Sequence, residues 1–320
     1  ELNINDNDIV IVYVGRLSFH AKAHHLPMYL TLEECSKKLD KDQKIHLIQT
    51  GWFPNDSIRD IFINEGKKIC PSVNFHFLDG TNQQNKFKSL AAGDIFISLS
   101  DNIQETFGIT PLEGMASKLP VIVSDWNGYK STVRNDIDGY RVKTYALKSG
   151  LGEDLAYNHM MDAINYDHYI GLSVQRIAID IADCIEKLKI LIFDKNKRLE
   201  YGTNARKRAN DFFNWPIILN HYKELSMELT NIRNTEKNNF KDFNRKSLPS
   251  EKLDPFYIFS SYPTEILNKK QNFTKLKNVN LIPINQILEF GSIDYAKKFL
   301  PSDIDINIII KLFDESKHLN

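Results

Sequence analysis

The 320-residue chain has only three cysteines, Cys35, Cys70 and Cys184, and they lie far apart. No Cys-x-x-Cys pair occurs, so neither a zinc site nor a disulfide framework is predicted, and a reducing, cytoplasmic setting fits. Charge of one sign is also missing: 41 Lys and Arg stand against 41 Asp and Glu. That balance excludes a general field drawing the molecule to nucleic acid or to an anionic membrane, and any cationic site must be local. No apolar run approaches the roughly 20 residues needed to cross a bilayer, and no charged-then-apolar leader opens the chain. Peripheral membrane association stays open. The first residue is Glu1 and not methionine, so further sequence upstream is expected. The first strand is not followed by a Gly-x-Gly-x-x-Gly turn, which argues against a nicotinamide or flavin cofactor.

What is present is a regular alternation. Asp8 to Val14 is a short β-branched apolar run ending at Gly15, the pattern of a strand buried on both faces. Leu26 to Leu39 reads as a helix, Lys44 to Gln49 as a strand, Ser57 to Ile69 as a helix and Val73 to Leu78 as a strand. Gln83 to Ala92, Asp94 to Leu99, Pro111 to Lys118 and Pro120 to Ser124 continue helix, strand, helix, strand, and Tyr140 to Val142 adds a last short strand. This order predicts βαβ units in an α/β, doubly wound, Rossmann-like parallel sheet. Ligands of such sheets sit beyond the carboxyl ends of the strands, so the loops after Val14, Leu99 and Ser124 are the expected functional loops. Leu151 to Ile170 is mixed, whereas Val174 to Phe193, Lys197 to Phe213 and Ile217 to Thr230 read as helices expected to pack on the sheet. The expected division is a Rossmann-like domain over residues 1–230, a linker over 231–252 and an accessory tail over 253–320. In the tail, Asp254 to Tyr257 and Ile304 to Phe313 are apolar enough to dock.

The segment Gln104 to Glu113 carries the strongest chemistry. Glu105 is expected on the crevice loop, where a carboxylate can bind sugar hydroxyls or stabilise positive charge at an anomeric carbon. Gly108 allows close backbone approach, and a helix beginning near Pro111 directs free N–H groups and positive dipole at an anion. Glu113 has a second reading, because Thr110-Pro111-Leu112-Glu113 is a capping box with proline at the first helical position. After the first strand, Arg16 and Lys22 can together stabilise a diphosphate leaving group without a metal. Phe19, His20, His24 and His25 lie in and after this loop, and the imidazoles are expected to be solvated or to touch the bound ligand rather than to hold a metal. Three Asp-x-Asp triplets, Asp6 to Asp8, Asp136 to Asp138 and Asp303 to Asp305, read as turns or caps, not as a manganese site.

Val14-Gly15-Arg16-Leu17 with Lys22, the Glu105 to Glu113 segment, and Pro120 to Ser124 together resemble the retaining GT-B glycosyltransferases of family 4, the glycosyl transferases group 1. The resemblance runs from about Asp8 to Met227 and includes Asn204 to Arg208 and Asn214-Trp215. It implies a nucleotide-sugar donor, no cofactor, metal-independent transfer and retention of configuration. Gly15, Arg16 and Lys22 would hold the donor phosphates; the Thr106, Phe107, Gly108 and Ile109 backbone would approach diphosphate and sugar. Glu105 would be the catalytic group at the sugar and Glu113 would meet the ribose. Where the family carries two glycines and a glutamate after the fifth strand, this chain reads Asn127-Gly128-Tyr129-Lys130. The resemblance further implies that the amino-terminal acceptor domain is missing from the chain. A non-catalytic module binding a nucleotide sugar or a partner is the alternative.

Overall fold

The computed structural model describes residues 2–235, 254–268, 271, 273 and 282–315. All six residues of β1 (Ile9–Val14) are buried. Successive side chains of a strand point to opposite faces. Ile9, Ile11 and Tyr13 therefore enter one apolar core, while Val10, Val12 and Val14 enter another. Two covered faces explain why the strand reads as unbroken apolar sequence.

Around β1 the chain alternates through α1 (Leu26–Ser36), β2 (Ile45–Gly51), α2 (Asp56–Ile69), β3 (Val73–Asp79), α3 (Gln83–Ala92), β4 (Ile95–Ser98), α4 (Ile109–Ala116), β5 (Val121–Ser124), α5 (Tyr129–Thr132) and β6 (Gly139–Val142). The six strands pair in the order β3-β2-β1-β4-β5-β6, every neighbour parallel. This is the expected doubly wound sheet, with its order reversing between β1 and β4, the switch point at which such sheets open a crevice.

Beyond β6 come β7 (Thr144–Ala146), α6 (Glu153–Met160), α7 (Tyr166–Val174), β8 (Ile177–Ile179), α8 (Ile181–Phe193), α9 (Lys195–Phe212) and α10 (Trp215–Thr235). The first core receives α1, α2 and α8, the second α4 and α9. The helix expected from Val174 to Phe193 is divided: Ile177–Ile179 pairs antiparallel with β7, and Asp180 then caps α8 by accepting from the Asp183 amide. The last helix differs from expectation twice. It runs to Thr235, five residues into the expected linker, and none of its residues is buried, so it does not pack on the sheet. Residues 236–252 of that linker lie outside the described residues.

The tail adds α11 (Pro255–Ile258), β9 (Glu265–Ile266), α12 (Ile284–Ile287), α13 (Gly291–Asp294) and α14 (Asp303–Glu315). Pro255 and Phe256 are buried as expected, but in the Ile304 to Phe313 stretch Ile304 is 72% exposed. Strand β9 pairs parallel with β7. A third core joins Ala21, Ile103 and Trp126, which follow β1, β4 and β5, to Leu155 and Ile170 of the α6–α7 region and Ala296 of the tail. One side of the sheet's carboxyl edge is thus covered by the chain's own later segments. Among the described residues no helix is long and apolar enough to cross a membrane.

Candidate functional site

The switch point brings together the loops after β1 and β4. Lys22 Nζ forms an ion pair with the Glu105 carboxylate across 83 residues of sequence. The Glu105 side chain is 9% exposed and that of Lys22 21%. Two charges so shielded interact more strongly than they would in bulk water. Arg16 donates to the Ala21 carbonyl at 2.6 Å and lies 3.4 Å from Gln104 Oε1, beside Glu105. Its guanidinium also stands 6.0 Å from the Trp52 ring. The carbonyl of Arg16 accepts from the Tyr13 hydroxyl at 3.1 Å. Burial, with the Glu105 carboxylate nearby, pushes the Tyr13 phenol well above its ordinary range, so it remains a donor.

Two cations and one carboxylate therefore lie on adjoining loops at the mouth of the sheet, Lys22 against Glu105 and Arg16 against the neighbouring Gln104. As the structure stands, Lys22 neutralises Glu105. A diphosphate arriving here would compete for Lys22 and find Arg16 alongside, and the released Glu105 oxygen could then accept from a hydroxyl.

The Glu105 loop is shaped from beneath. Gly108 has φ +78, and a Cβ there would run into the Tyr129 ring. Glycine is required at that point by the fold itself, in addition to any ligand approach. A Cβ on Gly128 would likewise strike the Thr106 carbonyl. Tyr129 is fully buried, its hydroxyl 3.0 Å from Ser98 Oγ. Asn127 donates from its side-chain amide to the Glu105 carbonyl at 3.2 Å. The stretch that departs from the family's glycine-and-glutamate pattern is thus the floor of the Glu105 loop.

Helix α4 starts at Ile109, two residues before the expected Pro111, with left-handed Gly108 as its N-cap. Thr110 is consequently inside the helix and its buried hydroxyl has no hydrogen-bond partner among the described residues. The capping-box reading of Glu113 fails, because Glu113 pairs instead with Lys86 of α3 at 2.6 Å. Lys86 gave no signal in the sequence beyond its place in an ordinary amphipathic helix. Thr106, Phe107 and Ile109 are exposed, the last two at 44% and 67%. Phe107, Ile109 and Glu113 also border a groove of about 890 Å³ shared with Phe213, Trp215 and Tyr222.

Two of the three histidines differ from expectation. His24 and His25 are 7% and 2% exposed, neither solvated nor facing the crevice pair. His25 Nε2 meets Glu65 at 2.6 Å, and Glu65 accepts from the Ser292 amide and hydroxyl at 3.0 and 2.6 Å. Burial lowers the His24 imidazole to about 3. Nearby Asp101 accepts from the His24 amide at 3.2 Å, and burial raises its carboxyl to about 7. Each aspartate triplet has a member engaged internally. Asp8 accepts from the Asn5 and Lys44 amides, Asp138 from Arg134, and Asp305 from Ser302.

Residues 1–156 match the family model described as glycosyl transferases group 1. An uncharacterized glycosyltransferase of Methanocaldococcus jannaschii is 25% identical over 138 residues, which cover 43% of this chain and 33% of that protein. The chain thus spans about a third of the length of this curated relative. Among solved structures, the C-terminal domain of the group 1 glycosyl transferase LpcC of Francisella tularensis is 20% identical. It gives a TM-score of 0.44, covering 65% of this chain and 87% of that one. A Staphylococcus aureus TarM mutant, solved with UDP, fondaparinux and α-GlcNAc-glycerol, is 17% identical with a TM-score of 0.43. The match covers 70% of this chain and 37% of that one. Scores of this size carry no functional weight.

Proposed function

We propose that this chain is the donor-binding half of a group 1 glycosyltransferase and takes a nucleotide diphosphate sugar at the switch point of its sheet. The observation that supports it most is the Lys22–Glu105 pair, with Arg16 bonded to the neighbouring loop, beside the start of α4. The match of residues 1–156 to the family model supports the same reading. Arg16, Lys22 and the first amides of α4 would hold the diphosphate, a task for fixed cations and a helix dipole. Glu113, held by Lys86, would meet the ribose, and Glu105 the sugar.

In this reading the anomeric C–O bond to the diphosphate breaks while the leaving oxygens gather charge against Arg16 and Lys22. Interactions that strengthen as that charge develops are the ones that accelerate transfer. No metal ion is needed for it, and transfer proceeds with retention of configuration, the acceptor entering on the face the diphosphate leaves. The acceptor half would come from sequence outside this chain.

The role of Glu105 is tested with the acceptor half supplied. Glu105→Gln abolishes transfer, while nucleoside diphosphate binding is not weakened, because the phosphate contacts are left in place and Lys22 loses a charged competitor. Undiminished transfer by this variant would overturn the assignment.

A further inference from the structure

The donor site of the proposed function rests on a floor, and that floor is held from outside by the tail. Asn127 sits at φ +30, a left-handed conformation that asparagine tolerates better than most non-glycine residues. Its amide donates to the Tyr262 carbonyl at 3.2 Å. Three residues on, Lys130 Nζ donates to the carbonyls of Ser261 and Pro263 at 3.1 and 2.7 Å. Thr264 donates to the Asp125 carboxylate at 2.7 Å, and its amide donates to the Thr144 hydroxyl at 3.0 Å. The Tyr262 ring meets buried Trp126 edge-on, with centroids 5.4 Å apart. Four consecutive tail residues therefore grip the turn after β5 from two sides, and β9 continues that grip by pairing with β7.

The same turn bears on the Glu105 loop. Asn127 donates to the Glu105 carbonyl, Gly128 abuts the Thr106 carbonyl, and the Tyr129 ring fills the space beside Gly108. Trp126 donates to the Asn102 carbonyl at 3.0 Å, and that carbonyl also accepts the Glu105 amide at 3.0 Å. Among the described residues of the tail none bonds to Glu105 directly. We infer that Ser261–Thr264 is a positioning element of the site, which clamps the Asn127–Lys130 turn and through it fixes the Glu105–Gly108 loop. Lys130 is the positioning residue on the sheet side of the clamp. The inference rests on the donor-site reading only for its functional consequence; its mechanical part stands apart from it.

Hydrogen exchange of the full chain, without nucleotide, tests the mechanical part. In Lys130→Met the amides of Gln104, Glu105 and Asn127 exchange about tenfold faster, the size expected when charged hydrogen bonds are lost, while β1 and β2 amides are unchanged. Lys130→Arg, which keeps a cationic donor, restores most of the protection. Thr264→Val, nearly isosteric, gives a smaller rise at the same amides and decides the matter should Lys130→Met loosen β1 as well. Unchanged exchange at Gln104 and Glu105 while residues 261–266 are freed would overturn the clamp. Calorimetry with UDP, GDP and ADP reads the functional part: the nucleotide that binds the parent binds Lys130→Met about three- to tenfold more weakly. A parent that binds none of the three sinks the donor-site reading and leaves the exchange result to judge the clamp. A parent that binds, with a variant that binds equally, shows that the clamp does not serve the site.

Discussion

The carboxyl edge of the sheet has a covered half and an open half, and they use polar side chains in opposite ways. Under the third core, Ser100, Asp101 and Asn102 are buried, and each is engaged with the β1 loop: Ser100 and Asn102 donate to the Lys22 and His20 carbonyls, and Asp101 accepts from His24. Directly after them, Gln104, Thr106, Phe107 and Ile109 are exposed, and Glu105 and Lys22 have chiefly each other. One loop thus passes from structural to available within three residues. The buried half makes the open half possible, because a carboxylate and two cations can be held near one another only where their backbone is fixed.

The covered half should dominate stability. Trp126 is 1% exposed within the third core, so Trp126→Ala should cost about 3–5 kcal/mol in denaturant unfolding. A loss under 1 kcal/mol would show that the covering segments contribute little. Gly108→Ala, at the border, meets both left-handed φ and the Tyr129 ring and should cost about 1–3 kcal/mol. Little or no loss would mean that the loop is not held as described.

The covered half should also show opposed pH effects. Asp101, raised by burial to about 7 from an ordinary 3.8, contributes stability that is full below about 3.8 and lost as pH climbs through 7. His24, lowered by burial to about 3 from 6.5, contributes stability that is full above 6.5 and lost as pH falls toward 3. Asp101→Asn keeps an acceptor for the His24 amide and removes only the first slope. Its Tm should therefore fall less than the parent's between pH 5 and pH 8, while acid lability persists. Parallel Tm curves would contradict the buried, protonated state of Asp101. The smallest effect belongs far from the covered half: Trp215 is 72% exposed on α10, and Trp215→Ser should stay within about 0.5 kcal/mol of the parent.

The sheet was legible because its code is local. β-branched runs mark strands buried on two faces, and the intervening amphipathic stretches mark helices, so Ile9–Val14, Val73–Asp79 and Gln83–Ala92 fall within a residue of expectation. A helix boundary is set by a single residue, which explains the early start of α4 at left-handed Gly108 and the break at Asp180, whose side chain caps α8. That Arg16, Lys22 and Glu105 share one sheet edge was readable because parallel topology sends both loops there. Side-chain partners from distant sequence were not. Lys86 for Glu113 and Glu65 for His25 depend on packing that no spacing encodes. The grip of residues 261–264 on Asn127 and Lys130 runs through backbone carbonyls, which every residue carries, so nothing in the sequence marks it.

The central claim concerns the two cations at the open half, and titration of the chain with nucleoside diphosphates in the presence of EDTA tests it most directly. The account predicts saturable one-to-one binding of at least one of UDP, GDP and ADP, weakened about 10- to 100-fold by Arg16→Ala and similarly by Lys22→Ala, the loss expected for charged hydrogen bonds to phosphate. Binding that survives both substitutions undiminished, or appears only when a divalent metal is restored, would contradict it.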